Sequence, residues 1–358
     1  MTKNLRRAIA GAALGIAFAV SAAFAVSAAY ADGITLNETG STLLYPLFKA
    51  WIAGYKSAAP GVVLTAAGTG SGVGIDSAIG GSVRIGASDA YLSDAVAAHN
   101  PEILNIPLAI SAVAINYNLP GLNGANLKIS GPALAAIYSG GITEWDDPKI
   151  KALNPGVALP HQGIIPVRRA DASGDTFVFT QFLDFSAENW EDNPGYGTDI
   201  SWPKIAAEKT APGNEGVVAT LAATPYAIGY AGVSYAGEIA KAQLGTAMVE
   251  NQAGKFVLAS RQAITDAAAQ LDPRTPPYER ISLVFAPGAD SYPLVNYEYA
   301  LVSRTQPNAA TAEALRSFLL WATSVTGGNA DNYLMPVGFI PLPDFIRGLS
   351  EAQINQIQ

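Results

Sequence analysis

The feature that most constrains the fold is a recurring junction, in which a strand-like run ends in small or hydroxyl-bearing residues and a helical pattern follows. VVLTAAG leads into GTGSG at Gly68–Gly72, RIGA leads into Ser88 and Asp89, and IIPVRR leads towards Asp171–Gly174. Strands that alternate with helices favour an α/β architecture over a β-sandwich or a helical bundle. Because open α/β sheets bind ligands where such strands end, these loops are the candidate binding region.

Composition excludes several classes of protein. With 49% hydrophobic residues, the 358-residue chain can bury a large core, which excludes a disordered protein. The absence of cysteine excludes a disulfide scaffold, a thiolate metal site and an iron–sulfur cluster. The two histidines, His99 and His161, lack a second ligand at helical spacing. We therefore expect neither a metal nor a cofactor.

The N-terminus predicts export. Lys3, Arg6 and Arg7 precede an uncharged apolar run from Ala8 that ends in the small-residue triplet AYA. This pattern is typical of a secretory signal peptide over residues 1–31, cleaved after about Ala31. The run of about 24 residues is also long enough to span a bilayer, so an uncleaved anchor is the alternative.

Charge narrows the choice of partners. Removal of the leader's three basic residues leaves 18 basic and 29 acidic side chains, a formal charge of −11. Such a surface repels polyanions, so DNA, RNA and anionic lipid are not expected as partners. A small anion would have to be held by local chemistry against the field of the whole molecule.

Two loop segments predict a division into two lobes. The segments 116–120 and 287–293 are candidate crossings between domains. Lobe 1 would then contain residues 32–116 and 294–358, and lobe 2 residues 117–293. Two covalent connections of this kind can act as a hinge.

The strand-end segments carry the groups that an oxyanion needs. Backbone amides at helix N-termini, hydroxyls and an arginine satisfy its oxygen lone pairs once water is removed. Such groups occur in Gly40–Leu43, Gly68–Gly72, Gly86–Asp89 and Arg169–Gly174. An alternative is a secreted serine hydrolase or phosphatase that uses Ser71, because GTGSG approximates a nucleophile turn. Neither histidine has an evident place in the triad that such an enzyme requires.

Seven segments, in their order and separations, resemble those of the periplasmic phosphate-binding proteins of Pst-type ABC uptake systems: NETGSTLLYPLFKAW, GTGSGVGI, IGASDAYLSD, YSGGITEWDDPKI, LNPG, VRRADASGDTFVFTQFL and AIGYA. The resemblance runs from about residue 34 to about residue 325. It implies a type II periplasmic-binding fold, in which two α/β lobes, each a mixed, mostly parallel sheet flanked by helices, close about a two-crossing hinge.

The same resemblance implies a function. The chain would be a monomer without enzymatic activity that captures inorganic phosphate with high affinity in the periplasm. It would deliver the phosphate to a membrane-embedded ABC permease with its ATPase subunits. A binding protein for another oxoanion, such as sulfate, molybdate or tungstate, is the alternative within this class.

The resemblance also assigns the binding residues. The phosphate-binding set is Thr42, Leu43, Thr69, Ser71, Asp89, Arg169, Ser173, Gly174 and Asp175, with Asp171 and Thr176 in support. Asp89 would accept a hydrogen from a protonated phosphate, which fully ionised sulfate cannot offer. Asp175 stands where the family usually has Thr, so a hydroxyl donor is missing. Either Thr176 supplies that hydroxyl, or Asp175 turns outward and contributes only its amide.

Overall fold

The computed structural model describes residues 33–190 and 194–358, so the leader predicted at 1–31 lies outside the described residues. Strands and helices alternate along most of the chain, as the recurring junction predicts. The strands are β1 (Ile34–Gly40), β2 (Val62–Thr65), β3 (Ile85–Ser88), β4 (Ile103–Tyr117), β5 (Lys128–Ile129), β6 (Ile165–Arg169), β7 (Lys209–Ala211), β8 (Ala227–Gly232), β9 (Gly245–Thr246), β10 (Met248–Glu250), β11 (Phe256–Val257) and β12 (Val295–Ser303).

The helices flank these strands. They are α1 (Tyr45–Ala58), α2 (Ser71–Ile79), α3 (Asp94–His99), α4 (Gly131–Tyr138), α5 (Pro148–Leu153), α6 (Gly174–Ser186), α7 (Gly213–Ala222), α8 (Ala236–Lys241), α9 (Arg261–Leu271), α10 (Ala309–Thr323), α11 (Asp331–Leu334) and α12 (Asp344–Ile354). Within residues 33–190 and 194–358, none of them is both long and apolar enough to cross a bilayer.

The main sheet is mixed, with parallel and antiparallel strand pairs in each of its halves. Its strand order is β2-β1-β3-β12-β4-β8-β6-β7, and β9 also pairs with β4. β1 runs parallel to β2 and β3, and β6 runs parallel to β7 and β8, whereas β12 and β4 run antiparallel to their neighbours. A small separate sheet has the order β11-β10-β5. The α/β class predicted from the sequence is confirmed.

One long strand joins the two halves of the main sheet. In β4, Ala112 pairs with Val295 of β12, whereas Val113 pairs with Gly232 of β8. The strand therefore changes partners between two consecutive residues. We call β2, β1, β3, β12 and the start of β4 the first half, and the end of β4 with β8, β6 and β7 the second half.

Helix α1 shows how the apolar spacing produces the core. Proline stands in its first turn, where the missing amide hydrogen costs nothing. Leu47, Phe48, Trp51 and Tyr55 form one buried stripe along it. The Trp51 indole nitrogen donates to the carbonyl of Gly328 at 2.9 Å, which satisfies its polar atom inside the core.

A buried acid in β1 makes the stability of the fold depend on pH. Burial raises the pKa of Glu38 from 4.5 to about 8, although the Ala67 amide, 3.3 Å from Oε2, opposes the shift. Oε1 has no hydrogen-bond partner, so an ionised Glu38 would be poorly compensated. The native state thus holds a proton that the unfolded chain releases above about pH 4.5, and stability falls as the pH rises from about 5 to about 8.

We expect Glu38→Gln to flatten this dependence. Between pH 5 and 8 the free energy of unfolding of the wild type should fall by about 1 kcal/mol per pH unit more than that of the variant, measured by urea unfolding. Glu351→Gln, at an exposed position of α12, is the matched control and should behave as wild type. Equal slopes in the wild type and Glu38→Gln would contradict this account.

Candidate anion site between the two halves of the sheet

The predicted loops come together where β1, β3 and β6 end. The amide of Gly72, in the first turn of α2, donates to the carbonyl of Ala172 at 3.0 Å, which connects the two halves. A Cβ atom at Gly174 would lie 2.3 Å from Asp89 Oδ2 and 2.6 Å from Ser71 Oγ. Only glycine therefore lets the N-terminus of α6 approach the Asp89 carboxylate this closely.

Asp89 lies at the end of β3 with its carboxylate buried. Oδ1 accepts a hydrogen bond from the Ser41 hydroxyl, and Oδ2 lies 3.2 Å from the Ser71 hydroxyl. Burial raises the pKa of Asp89, while these hydroxyls, the neighbouring Glu298 and the charge of Arg169 oppose the shift. Ser41, which lies in the predicted segment Gly40–Leu43 but not in the predicted binding set, therefore orients the carboxylate.

Behind Asp89 lies a second acid that sequence reasoning did not identify. Glu298, in the middle of β12, is fully buried, and its Oε1 accepts hydrogen bonds from Ser111 and from Asn296. Burial, followed by the charge of Asp89, raises the pKa of Glu298 well above its usual range. We therefore place the proton of this pair on Glu298, which leaves Asp89 as the ionised partner.

Arg169 ends β6 and is the cation of the site. Its Nε donates to Asp171 Oδ1 at 2.9 Å, its Nη2 donates to Asp171 Oδ2, and its Nη1 donates to Asp175 Oδ2 at 2.5 Å. Burial alone would lower the pKa of Arg169, but the two carboxylates hold it above its usual value. The pKa of Asp171 is lowered because the hydrogen bond and charge of Arg169 outweigh its partial burial.

Asp175 does not turn towards solvent; its side chain is fully buried in the first turn of α6. Oδ2 accepts from Arg169 and, at 2.7 Å, from the amide group of Asn214, while Oδ1 has no hydrogen-bond partner. Burial and then the charge of Asp89 raise the pKa of Asp175 to about 7, against the opposing charge of Arg169. The Asp175 carboxylate thus contacts the Arg169 guanidinium at the place where an anionic ligand would be expected to bind.

The hydroxyls of α6 are already engaged by protein groups. Ser173 is the N-cap, and its Oγ accepts from the Thr176 amide at 3.4 Å. The Thr176 hydroxyl lies 2.7 Å from the Tyr230 hydroxyl, on β8. The Thr176 hydroxyl therefore contacts Tyr230, and the Ser173 hydroxyl caps the N-terminus of α6.

Asn214 connects the two halves, and sequence reasoning missed it. Its Nδ2 donates to Thr42 Oγ1 at 2.9 Å as well as to Asp175, and its Oδ1 accepts from the Gly232 amide at 2.8 Å. Asn214 is the second residue of α7, shortly after β7, at the same kind of strand-to-helix junction as the predicted loops. The strand KTA is only three residues long, too short to reveal that junction from its pattern.

The residues after β8 hold the predicted Thr42 and Leu43 in place. Ser234 Oγ donates to the Leu43 carbonyl at 2.8 Å, and Tyr235 Oη donates to the Thr42 carbonyl at 3.2 Å. These bonds reach from the second half to the turn before α1, in the first half. The two halves are therefore in contact across the site.

A cavity of about 220 Å³ opens beside this cluster. Thr42, Thr69 and Asp171 are the predicted residues that line it, whereas Asp89 and Arg169 do not. Thr69 is exposed, and its hydroxyl lies 2.8 Å from that of Thr39. The structure thus brings the predicted residues together in two layers: an open outer layer, and a buried inner layer around Arg169.

A separate group of potential metal ligands lies outside the candidate anion site. Glu144, Asp146 and His161 offer ligand atoms that lie within 4.8 Å of one another. Both oxygens of Asp146 already have partners, because Oδ2 pairs with Lys151 at 3.0 Å and Oδ1 with His161 at 3.1 Å. His161 therefore lies close to two acidic side chains in the fold, although the sequence shows no second ligand at helical spacing.

Comparisons with known proteins relate the chain to a family by its sequence. The family model described as PBP superfamily domain matches residues 26–326. A phosphate-binding protein PstS of Methanocaldococcus jannaschii is 32% identical, with 91% of this chain and 87% of the relative covered. The phosphate-binding protein PstS of Pasteurella multocida is 31% identical, with 89% of each chain covered.

Solved structures share the fold. A high-affinity periplasmic phosphate-binding protein, bound with phosphate at pH 8.5, superposes with a TM-score of 0.70 at 22% identity, covering 89% of this chain and 93% of that one. A phosphate-binding protein from Stenotrophomonas maltophilia gives a TM-score of 0.69 at 20% identity, with 89% and 94% covered. Taken with the sequence relatives and the family model, these findings show that the chain belongs to the PBP superfamily and, within it, to the family of phosphate-binding proteins PstS.

Proposed function

We propose that this chain captures inorganic phosphate in the periplasm and delivers it to a membrane-embedded ABC permease with its ATPase subunits. The observation that carries the proposal is a buried guanidinium, Arg169, placed beside the N-terminus of α6 and across from the Asp89 carboxylate. A cation and helix amides attract the phosphate, while the carboxylate accepts its hydrogen. Membership of the PstS family supports the same ligand.

Asp89 is what distinguishes phosphate from the other oxoanions. It is almost fully buried, and with the proton of the pair placed on Glu298 its charge would repel an anion that has no proton, in a site with little water. Sulfate is of this kind at neutral pH, and molybdate and tungstate would be bound only if Asp89 were neutral. Phosphate can donate its proton and turn the repulsion into a hydrogen bond.

The binding cycle would involve two lobes that close about a hinge. We propose lobe 1 as residues 32–116 with 294–358, and lobe 2 as residues 117–293. The change of partners along β4 and the bonds from Asn214 and Tyr235 to Thr42 support a closed arrangement of these lobes. Opening would break those bonds and admit the ligand.

A binding role explains Ser71 better than catalysis does. Its hydroxyl lies 3.2 Å from both Asp89 Oδ2 and the Asp89 amide, so it orients the carboxylate. His99 contacts the carbonyl of Ala95 in its own helix, and His161 pairs with Asp146, so each already has a partner outside the site. We therefore propose a binding protein rather than a serine hydrolase or phosphatase. We further propose that it is a monomer, exported by its leader, and that the leader is cleaved after about Ala31.

An anion panel tests the proposal. Purified chain at pH 7 is titrated with phosphate, sulfate, molybdate and tungstate while unfolding is followed by tryptophan fluorescence. Phosphate at a thousandfold excess over its Kd should raise the free energy of unfolding by about 4 kcal/mol, and the other anions should leave it unchanged. A response to sulfate, molybdate or tungstate equal to that for phosphate would contradict the proposed ligand. Hydrolysis of an aryl phosphate or ester that Ser71→Ala abolishes would instead establish the enzyme.

A further inference from the structure

The candidate anion site contains an acid that its proposed function does not use. Asp175 places one oxygen on Arg169 at 2.5 Å, while the other oxygen, Oδ1, is buried without a hydrogen-bond partner. Three carboxylates, those of Asp89, Asp171 and Asp175, thus surround a single guanidinium. An anion that reached Arg169 would meet more negative than positive charge.

Charged and titratable groups face Asp175 from every element packed around it. The carboxylate of Asp89 and the guanidinium of Arg169 act on it in opposite directions, and burial acts in the same direction as Asp89. Asp171 adds a further negative charge. The surrounding groups are Asp89 after β3, backed by Glu298 on β12, Arg169 on β6, Asp171 in the following loop, Asn214 on α7, Tyr230 on β8 and Tyr235 after it.

A proton resolves the conflict between Asp175 and the ligand. A dianionic phosphate beside an ionised Asp175 would place two like charges in contact where little water screens them. If one proton enters, it can sit on Asp175, which then donates to a phosphate oxygen, or on the phosphate, which then donates to the unpartnered Oδ1. In both forms Oδ1 gains the partner that it lacks, and the net charge is the same.

We propose that Asp175 makes phosphate capture proton-coupled, so that binding takes up one proton that is shared between this carboxylate and the ligand. The inference rests on the proposed function, because it concerns the same ligand at the same site. The coupling would follow from the acid at this position, which a neutral residue would not provide. Its physical origin is the buried carboxylate on Arg169.

The pH range of the effect follows from the state of Asp175 in the free protein. Above about pH 7 the free carboxylate is ionised, so binding must add a proton. Below that pH it already holds the proton, and no further uptake is needed. The affinity of the wild type should therefore fall about tenfold per pH unit above pH 7.5 relative to a variant with a neutral residue at 175.

Calorimetry measures this directly. Phosphate is titrated into the wild type and into Asp175→Asn at pH 8.5 and at pH 6, each in two buffers of different ionisation enthalpy. At pH 8.5 the wild type should take up about one proton more than the variant, and at pH 6 the difference should disappear. Asp94→Asn, at an exposed acid of α3, is the matched control and should retain the wild-type proton count.

The outcomes separate the two claims. Equal proton counts and equal pH slopes in the wild type and Asp175→Asn, with both binding phosphate, would overturn the proton coupling and leave the proposed function intact. Failure of the folded wild type to bind phosphate would overturn the function, and the coupling with it. Should Asp175→Asn fail to fold, Asp175→Thr replaces it in the same comparison, and an uptake close to zero by the wild type at pH 8.5 is by itself enough to overturn the coupling.

Discussion

Replacing Arg169 with Ala should weaken phosphate binding by roughly two to four orders of magnitude. The guanidinium is buried and is the cation at the end of β6, so its loss would leave the ligand facing Asp89, Asp171 and Asp175 without compensation. Removing one partner from a buried charge pair typically costs about 3–5 kcal/mol, which sets this range. Isothermal titration with phosphate at pH 7 measures it.

Two companion variants separate lost binding from lost folding. Arg169→Lys keeps the positive charge but loses the bidentate hydrogen bonding of the guanidinium, so we expect an intermediate affinity for phosphate. Arg168→Ala removes the neighbouring arginine, which pairs with Glu208 at 3.0 Å, and should bind phosphate as the wild type does. Wild-type affinity in a folded Arg169→Ala would show that phosphate binds elsewhere.

Replacing Asp89 with Asn should destroy anion discrimination. The amide can donate a hydrogen bond to an unprotonated oxygen, and the like charge that repels sulfate is removed. We expect the ratio of phosphate to sulfate affinity to fall by at least about a hundredfold, because sites built around a buried polar group discriminate strongly against ligands that cannot pair with it. Competition between the two anions at pH 7 gives the ratio.

The controls for this variant use the surrounding acids. Asp94→Asn is an exposed change of the same type on α3 and should keep the wild-type ratio. Glu298→Gln keeps a hydrogen-bond donor behind Asp89 and should change the ratio far less than Asp89→Asn. An unchanged ratio in Asp89→Asn would refute the role assigned to this carboxylate.

Local pattern was enough to predict the fold class and the loops that meet. The GTGSG, SD and DASG segments each follow a strand, and strands that are parallel within one half of a sheet present these ends at the same edge. A glycine in such a motif indicates that another residue lies very close to its backbone, as Asp89 does at Gly174. Local pattern therefore predicted that Ser71 and Asp89 share one edge of the sheet, whereas the assignment of Arg169 to the same site followed from the family resemblance.

Residues that reach the site through long-range packing could not be found in this way. Asn214 follows a three-residue strand. Glu298 lies in the middle of a mostly apolar strand, where the spacing of residues alone does not show which face is buried. The inward position of Asp175 also depends on partners far along the chain, since Asn214 holds the same carboxylate oxygen as Arg169. Local helix chemistry alone would leave a first-turn acid in solvent.

The central claim is that phosphate is held between Arg169 and Asp89 at the start of α6. A crystal structure of the chain grown with phosphate tests it most directly. We expect phosphate oxygens within hydrogen-bond distance of the Arg169 guanidinium and of the Asp89 carboxylate, with Asp175 Oδ1 turned to the ligand. Phosphate bound at another place, with the Arg169–Asp175 pair undisturbed and no contact to Asp89, would contradict the account.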